Sequence, residues 1–196
     1  MPNWCENRLV VKGEKADLIL FQTKVKGTHA TYTLSEAEKE MYKRMGESEK
    51  NEEVHNFTFN SLVPVPQEVL EAGFNGVGYN WQSENWGTKW DIHGANVMDE
   101  SDEEVIYSFD TAWAPPEPWV KQVSALFPKL TFELAYFEPG MMFAGYMIYQ
   151  NDEVIDEEHV SDSVDALKMM MVEKLGYSEE EVNEYWYDEE DEEEIS

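Results

Sequence analysis

Asn85-Trp86-Gly87-Thr88-Lys89-Trp90-Asp91, Phe109-Asp110-Thr111-Ala112-Trp113-Ala114-Pro115-Pro116 and Phe143-Ala144-Gly145-Tyr146-Met147-Ile148-Tyr149 mark the stretch, residues 86–149, whose reading decides the fold. Ile92 to Val97 and Val105 to Asp110 read as the strands of a hairpin, joined by the acidic run Met98 to Glu104. Ala114-Pro115-Pro116-Glu117-Pro118 stops the second strand and starts a helix, with Pro118 suited to the first turn. Trp119, Val120, Val123, Leu126 and Phe127 then recur as one apolar helix face, which Pro128 ends. Leu130 to Phe137 alternates as a strand, Pro139-Gly140 turns the chain, and Met142 to Tyr149 forms the next strand. Asn151-Asp152 is a tight turn into a last short strand, Glu153 to Asp156. Strands grouped around one helix predict an α+β domain.

Working outward, Arg8 to Gly13 reads as a first strand and Glu14 to Lys26 as a helix with Leu18, Phe21 and Val25 on one face. Residues 28–80 read as an insertion. Its helix starts at the capping box Ser35-Glu36-Ala37-Glu38 and closes at Gly46, a polar run from Glu47 to Glu53 follows, and Phe57-Thr58-Phe59 suggests a short strand. After the sheet, Ser161 or Ser163 caps a helix bearing Val164, Leu167, Met170, Met171 and Leu175. A second capping box, Ser178 to Glu181, leads into Tyr185-Trp186-Tyr187 and an acidic run. The expected layout is one body over residues 1–177 and an acidic extension over 178–196 whose deletion leaves the body folded. An intermediate arrangement docks 179–187 as a helix.

The charge is the dominant global fact: 42 Asp and Glu against 14 Lys and Arg, a formal −28. Residues 178–196 hold eleven acids and no base, so most of that charge belongs to the body. Such a surface repels phosphates and anionic membranes and attracts cations and basic proteins in a salt-dependent way. No direct nucleic-acid binding and no membrane association are expected. No apolar run approaches the roughly 20 residues of a membrane span. One cysteine, Cys5, and no secretory leader point to a reducing, cytoplasmic setting.

Candidate chemistry is sparse. His29, His55, His93 and His159 are scattered, and one cysteine is too few for a structural zinc site, so neither metal nor cofactor is expected. The Met98 to Glu104 run lacks the glycine and terminal glutamate of a calcium loop. Asp91 and Asp110 sit beside tryptophans at strand ends, where burial could raise a carboxyl pKa. Trp81, Trp86 and Trp90, spaced by five and four, suit either packing over the sheet or a stacking surface. Tyr185, Trp186 and Tyr187 with Asp188, Glu189 and Glu190 offer aromatic anchors among acids, the pattern of an interface that meets a basic partner.

Pro2-Asn3-Trp4-Cys5-Glu6-Asn7-Arg8-Leu9, Asn85-Trp86-Gly87-Thr88-Lys89-Trp90, Thr111-Ala112-Trp113-Ala114-Pro115-Pro116 and Tyr136-Phe137-Glu138-Pro139-Gly140 resemble, in order, the motifs of the YubB-like ferredoxin-fold family. That resemblance covers about residues 1–150. It implies a ferredoxin-like antiparallel sheet with helices on one face and a phage or plasmid origin, and it carries no catalytic residues. The expected function is a non-enzymatic binder of a basic, nucleic-acid-binding host protein, as a DNA mimic or anti-defence inhibitor. The alternatives are a small-molecule or metal-dependent enzyme, with a pocket between the sheet and the 28–80 insertion, and an accessory protein.

Overall fold

The computed structural model describes residues 3–45, 53–92, 94–161 and 163–193, with side chains on the last helix described as far as Trp186. At its centre is β1 (Trp4–Lys12), paired antiparallel with β3 (Glu104–Ala112) on one side and β4 (Thr131–Glu138) on the other. β2 (Asn96–Glu100) flanks β3, while β5 (Phe143–Gln150) and β6 (Glu153–Val160) continue beyond β4, giving the order β2-β3-β1-β4-β5-β6. Helix α1 (Lys15–Lys24) lies between β1 and β2 in sequence, and α5 (Glu117–Leu126) lies between β3 and β4. The four strands β4-β1-β3-β2 with α1 and α5 are therefore a ferredoxin-like βαββαβ unit, extended by the β5–β6 hairpin. Asn151 and Asp152 at that hairpin's tip both have positive φ, 50° and 68°, as a two-residue turn between right-twisted strands requires.

Side-chain alternation decides what each face meets. On β4, Phe132, Leu134 and Tyr136 point into the core beneath α1 and α5, whereas Ala135 and Phe137 point to the opposite face, and all five are buried. The larger core adds Leu9 and Val11 of β1, Phe21 of α1, and Trp119, Val120 and Val123 of α5. Phe21 meets Phe57, Tyr107, Phe127 and Phe132 edge to face, the arrangement that aromatic quadrupoles favour. In the larger core the two fully buried indole N–H groups each find a carbonyl: Trp119 Nε1 donates to Phe59 O at 3.0 Å and Trp86 Nε1 to Val63 O at 2.9 Å. These bonds spare two polar groups the cost of dry burial.

The insertion folds over the same face. It carries α2 (Glu36–Met45), whose predicted capping box is present, with Ser35 N donating to Glu38 Oε2 at 2.8 Å. It continues through α3 (Gln67–Ala72), an irregular turn at Phe74–Gly78, and α4 (Tyr79–Asn85). Phe57-Thr58-Phe59 is not a strand. These three fully buried residues cross the core as irregular chain, tied by Thr58 N to Val25 O at 2.9 Å and by Phe59 N to the Asp91 carboxylate at 2.7 Å. Their hydrogen bonds go to a helix end and a side chain, so the aromatic pattern is satisfied without a ladder. The expected strand from Ile92 begins only at Asn96, because Ala95 N bonds Asn56 Oδ1 at 3.2 Å and Ile92 N bonds its neighbour's carboxylate at 2.9 Å. The predicted helix stop at Gly46 and the polar run from Glu47 to Glu52 lie outside the described residues.

Helices do not cover one face alone. α6 (Val164–Met170), capped by Ser163, runs into a wide π-type turn at Met171–Leu175 and then into α7 (Glu179–Glu193). Leu167, Met170, Met171, Val182 and Trp186 form a second core with Ala135, Phe137, Ala144 and Tyr146 on the opposite face. The methionine cluster is core, as its spacing suggested. The 178–196 segment is therefore not a simple extension, since two of its side chains close that second core. The Tyr177 hydroxyl also bonds Glu6 of β1, and Arg8 Nη1 donates to Lys174 O at 3.3 Å, fastening the chain that leads into this segment to the central strand.

Candidate functional site

Three of the sequence motifs meet at one end of the sheet. Trp113 N donates to Asn3 O at 2.9 Å. Thr88 Oγ1 donates to Ala112 O and accepts from Ala112 N, both at 3.1 Å. Asn7 Nδ2 reaches Thr111 Oγ1 at 2.8 Å. Asn7, Thr88 and Thr111 are buried, so each bond replaces water that the site excludes. Gly87 has φ +81°, and a Cβ there would lie 3.0 Å from Pro115 O, so only glycine lets the Trp86–Trp90 segment approach the Pro115–Pro118 turn.

The consequence is an aromatic surface built from distant parts of the chain. Trp4 and Trp90 have ring centroids 6.4 Å apart, tilted by 44°. Lys89 Nζ stands 4.4 Å from the Trp90 ring and 4.7 Å from that of Trp113, bridging the two by cation–π contact. Trp4 is 45% exposed and Trp113 44% exposed. Trp113 holds φ +73°, a left-handed conformation that costs a non-glycine residue free energy and that its N–H bond to Asn3 helps maintain.

Beside this surface opens a cavity of about 520 Å³ between the start of β1 and the insertion. Trp4, Trp90, Phe74 and Tyr32 supply aromatic walls; His29, Gln82 and Asp91 supply the polar part. The Asp91 carboxylate accepts from Phe59 N at 2.7 Å, Ile92 N at 2.9 Å and Asn60 N at 3.2 Å. Burial nevertheless dominates and pushes its pKa up to about 6, with the backbone donors and nearby His55 pulling the other way. His29 lies flat on His55, centroids 4.1 Å apart, and its Nε2 bonds Ile92 O at 2.6 Å. Tyr32 Oη and Gln82 Oε1 are buried without a well-formed hydrogen bond, and burial pushes the Tyr32 phenol up to about 12 although Gln82 beside it favours ionisation.

The raised Asp91 pKa fixes the sign of one pH effect. Between 3.8 and about 6 the folded chain holds a proton that the unfolded chain has released. Stability from this group is therefore greatest at the acid end of that window and declines as pH rises through it. Relative to Asp91→Asn, the wild type is expected to lose ground between pH 4.5 and pH 7 in urea unfolding. A gap that stays constant with pH would show that the carboxyl titrates normally.

A family profile described as "Ferredoxin-like domain in Api92-like protein" matches residues 85–195. The chain belongs to the Api92-like ferredoxin-domain family. Its match runs through α7, in keeping with a C-terminal segment packed on the sheet. This family member is 32% identical over 97 residues to the Uncharacterized protein YubB of Escherichia coli strain K12, covering 45% of the present chain and 67% of that one. The crystal structure of protein api92 from Yersinia pseudotuberculosis superposes with a TM-score of 0.60 at 11% identity, over 83% of this chain and 99% of the other, which shows a shared fold.

The sequence-predicted site residues do not form one surface in this Api92-like chain. Trp86 is fully buried, half-buried Trp81 packs edge-on against it at 5.7 Å, and Trp90 alone of the three lines the pocket. Spacings of five and four do not stay on one face because α4 ends at Asn85. Trp186 is 7% exposed in the second core, and Tyr185 packs edge-on against Phe137 at 5.9 Å, so neither is a free anchor. Tyr187, Asp188, Glu189 and Glu190 continue α7, with side chains outside the described part, as is all of His93. Cys5 is fully buried on β1, where burial and the Glu138 carboxylate push its thiol far above the ordinary range, giving it a packing role. No sequence signal marks Trp4, Tyr32 or Phe74 as lining one site. Only the coupling of Asn3 to Trp113 across sheet neighbours reveals that Trp4 and Trp90 converge. Among the described residues no three His, Cys, Asp or Glu side chains converge as metal ligands, and no helix is long and apolar enough to cross a membrane.

A second surface stands out by charge. β6 is the edge strand opposite β2, exposed from Glu153 to His159 on both faces, and it presents Glu153, Asp156, Glu157 and Glu158. Among the described residues none of these four carboxylates is paired with a lysine or arginine, while Asp156 accepts from Tyr146 Oη at 2.8 Å.

Proposed function

We propose that this chain is a non-enzymatic binding protein that docks a basic, nucleic-acid-binding protein on the acidic outer edge of its sheet. The observation that carries this reading is β6: an edge strand with an open hydrogen-bonding side, four carboxylates and the exposed apolar side chains Val154 and Ile155. An open edge accepts a further strand through main-chain hydrogen bonds. Carboxylates on it repel a second copy of the same chain while admitting a strand or loop rich in Lys and Arg. Alternate side chains stand about 7 Å apart along one face of a strand, a row of negative charge that a DNA-binding protein can take for a backbone. A phage or plasmid protein acting against host defence or nucleic-acid enzymes would have use for such a surface.

The test compares the wild type with a Glu153→Lys, Glu157→Lys, Glu158→Lys variant in affinity capture from bacterial lysate at low and high salt. The wild type is expected to retain a defined basic nucleic-acid-binding protein at low salt, to release it at high salt, and to lose it to added duplex DNA. The variant is expected to melt within a few degrees of wild type, since these side chains are exposed, and to retain nothing specific. Equal retention by both proteins would overturn the reading.

A further inference from the structure

We propose that the aromatic pocket binds a small planar organic cation, an amidinium or guanidinium group carried on an apolar body. This goes beyond the docking of a protein on β6, because the pocket is built on the insertion and the start of β1, and β6 contributes nothing to its lining.

Three observations converge on that ligand class. The first is the wall. Trp4, Trp90, Phe74 and Tyr32 present aromatic rings around a cavity of about 520 Å³, within the size range of drug-like sites and larger than a bare ammonium needs. Aromatic rings attract a cation through their quadrupole, and tryptophan does so best. The chain already uses this chemistry at the rim, where Lys89 Nζ rests 4.4 Å from the Trp90 ring.

The second is charge. Asp91 supplies a carboxylate to the lining, and the chain carries −28 in all. A cleft with low-dielectric walls focuses such a field, concentrates cations and excludes anions. This disfavours phosphates and carboxylic acids, whereas a cation gains from Asp91 directly.

The third is unfilled hydrogen-bonding capacity. Gln82 is 4% exposed and its Oε1 has no well-formed hydrogen bond, while the Tyr32 hydroxyl next to it has only a loose contact with the same Gln82 side chain. Buried polar atoms without partners call for a specific explanation. A planar cation with several N–H groups in a fork offers donors to a carboxylate and an amide oxygen together, which a quaternary ammonium cannot do. Metal binding does not fit, because the lining offers one carboxylate and one imidazole whose Nε2 already bonds Ile92 O.

The experiment titrates benzamidine, its neutral isostere benzamide and its anionic isostere benzoate into the full chain, read by calorimetry and by tryptophan indole N–H shifts. Benzamidine is expected to saturate with Kd below about 1 mM, and benzamide and benzoate to bind at least about tenfold more weakly. Trp4→Leu, at an exposed position, and Gln82→Met, which keeps volume and removes the acceptor, are each expected to weaken benzamidine at least about fivefold with melting temperature held. If Gln82→Met does not fold, Trp4→Leu decides. The β6 triple-lysine variant is expected to bind benzamidine like wild type, so loss of the protein partner and loss of the pocket ligand are read separately. Equal binding of the three isosteres, no saturation by about 10 mM, or indifference to Trp4→Leu would overturn the proposal.

Discussion

Deleting residues 178–196 is expected to destabilise the protein by about 3–5 kcal/mol, with ANS binding and aggregation on warming, because the loss uncovers a core. Val182 and Trp186 are 2% and 7% exposed and pack with Phe137, Leu167, Met170 and Met171. Removing them exposes the second face of β4 and β5 to water, at roughly 25 cal/mol for each Å² of apolar surface uncovered. Deletion from 188 onward keeps Val182 and Trp186 and is expected to leave the melting temperature nearly unchanged. Comparing the two truncations by thermal unfolding separates packing from charge. A 178–196 deletion as stable as wild type would mean that the second core closes without α7.

Trp86→Ala is expected to cost about 3–5 kcal/mol, whereas Trp113→Ala costs about 1 kcal/mol or less. Trp86 is fully buried, packs against Phe59 at 5.8 Å, and donates its indole N–H to Val63 O, so truncation leaves both a cavity and an unpaired carbonyl. Trp113 follows the last residue of β3, a place that suggests core, yet its positive φ turns the side chain out over Lys89. Alanine there keeps the strained backbone and loses one surface contact. Urea unfolding of the two variants side by side checks the ranking. Equal losses would place Trp113 in the core.

The second half of the sheet, from α5 to the β5–β6 hairpin, was legible because its signals are local. The Trp119-Val120-Val123 spacing, the Pro115-Pro116 stop and the Asn151-Asp152 turn each act within a few residues, and the structure uses all three. The insertion was harder to read, since Phe57 and Phe59 are placed by Asp91, more than thirty residues on, and not by a neighbouring strand. Strand length failed for a similar reason. Glu153 to Val160 pairs with β5 apart from a bulge at Ile155, although Glu157 and Glu158 look like loop, because hydrogen bonds to a partner outweigh weak local propensity. The pocket was half legible. Trp90 and Asp91 stood out, but Trp4, Tyr32 and Phe74 come from three other segments, and single-residue spacing says nothing about which segments meet. Tyr185 and Trp186 misled in the opposite sense, because a long acidic surround reads as solvent even when one face of the helix is apolar.

Cys5, the chain's only thiol, sits in the central strand with no exposed surface. It is therefore a built-in clock for the opening of β1. A thiol reagent can reach it only when that strand comes away from β3 or β4, so the labelling rate in the native state reports opening events that fluorescence, averaged over seven tryptophans, would blur. The same shielding keeps the native protein from cross-linking through disulfides, and any covalent dimer in an oxidised sample records chains that had opened first.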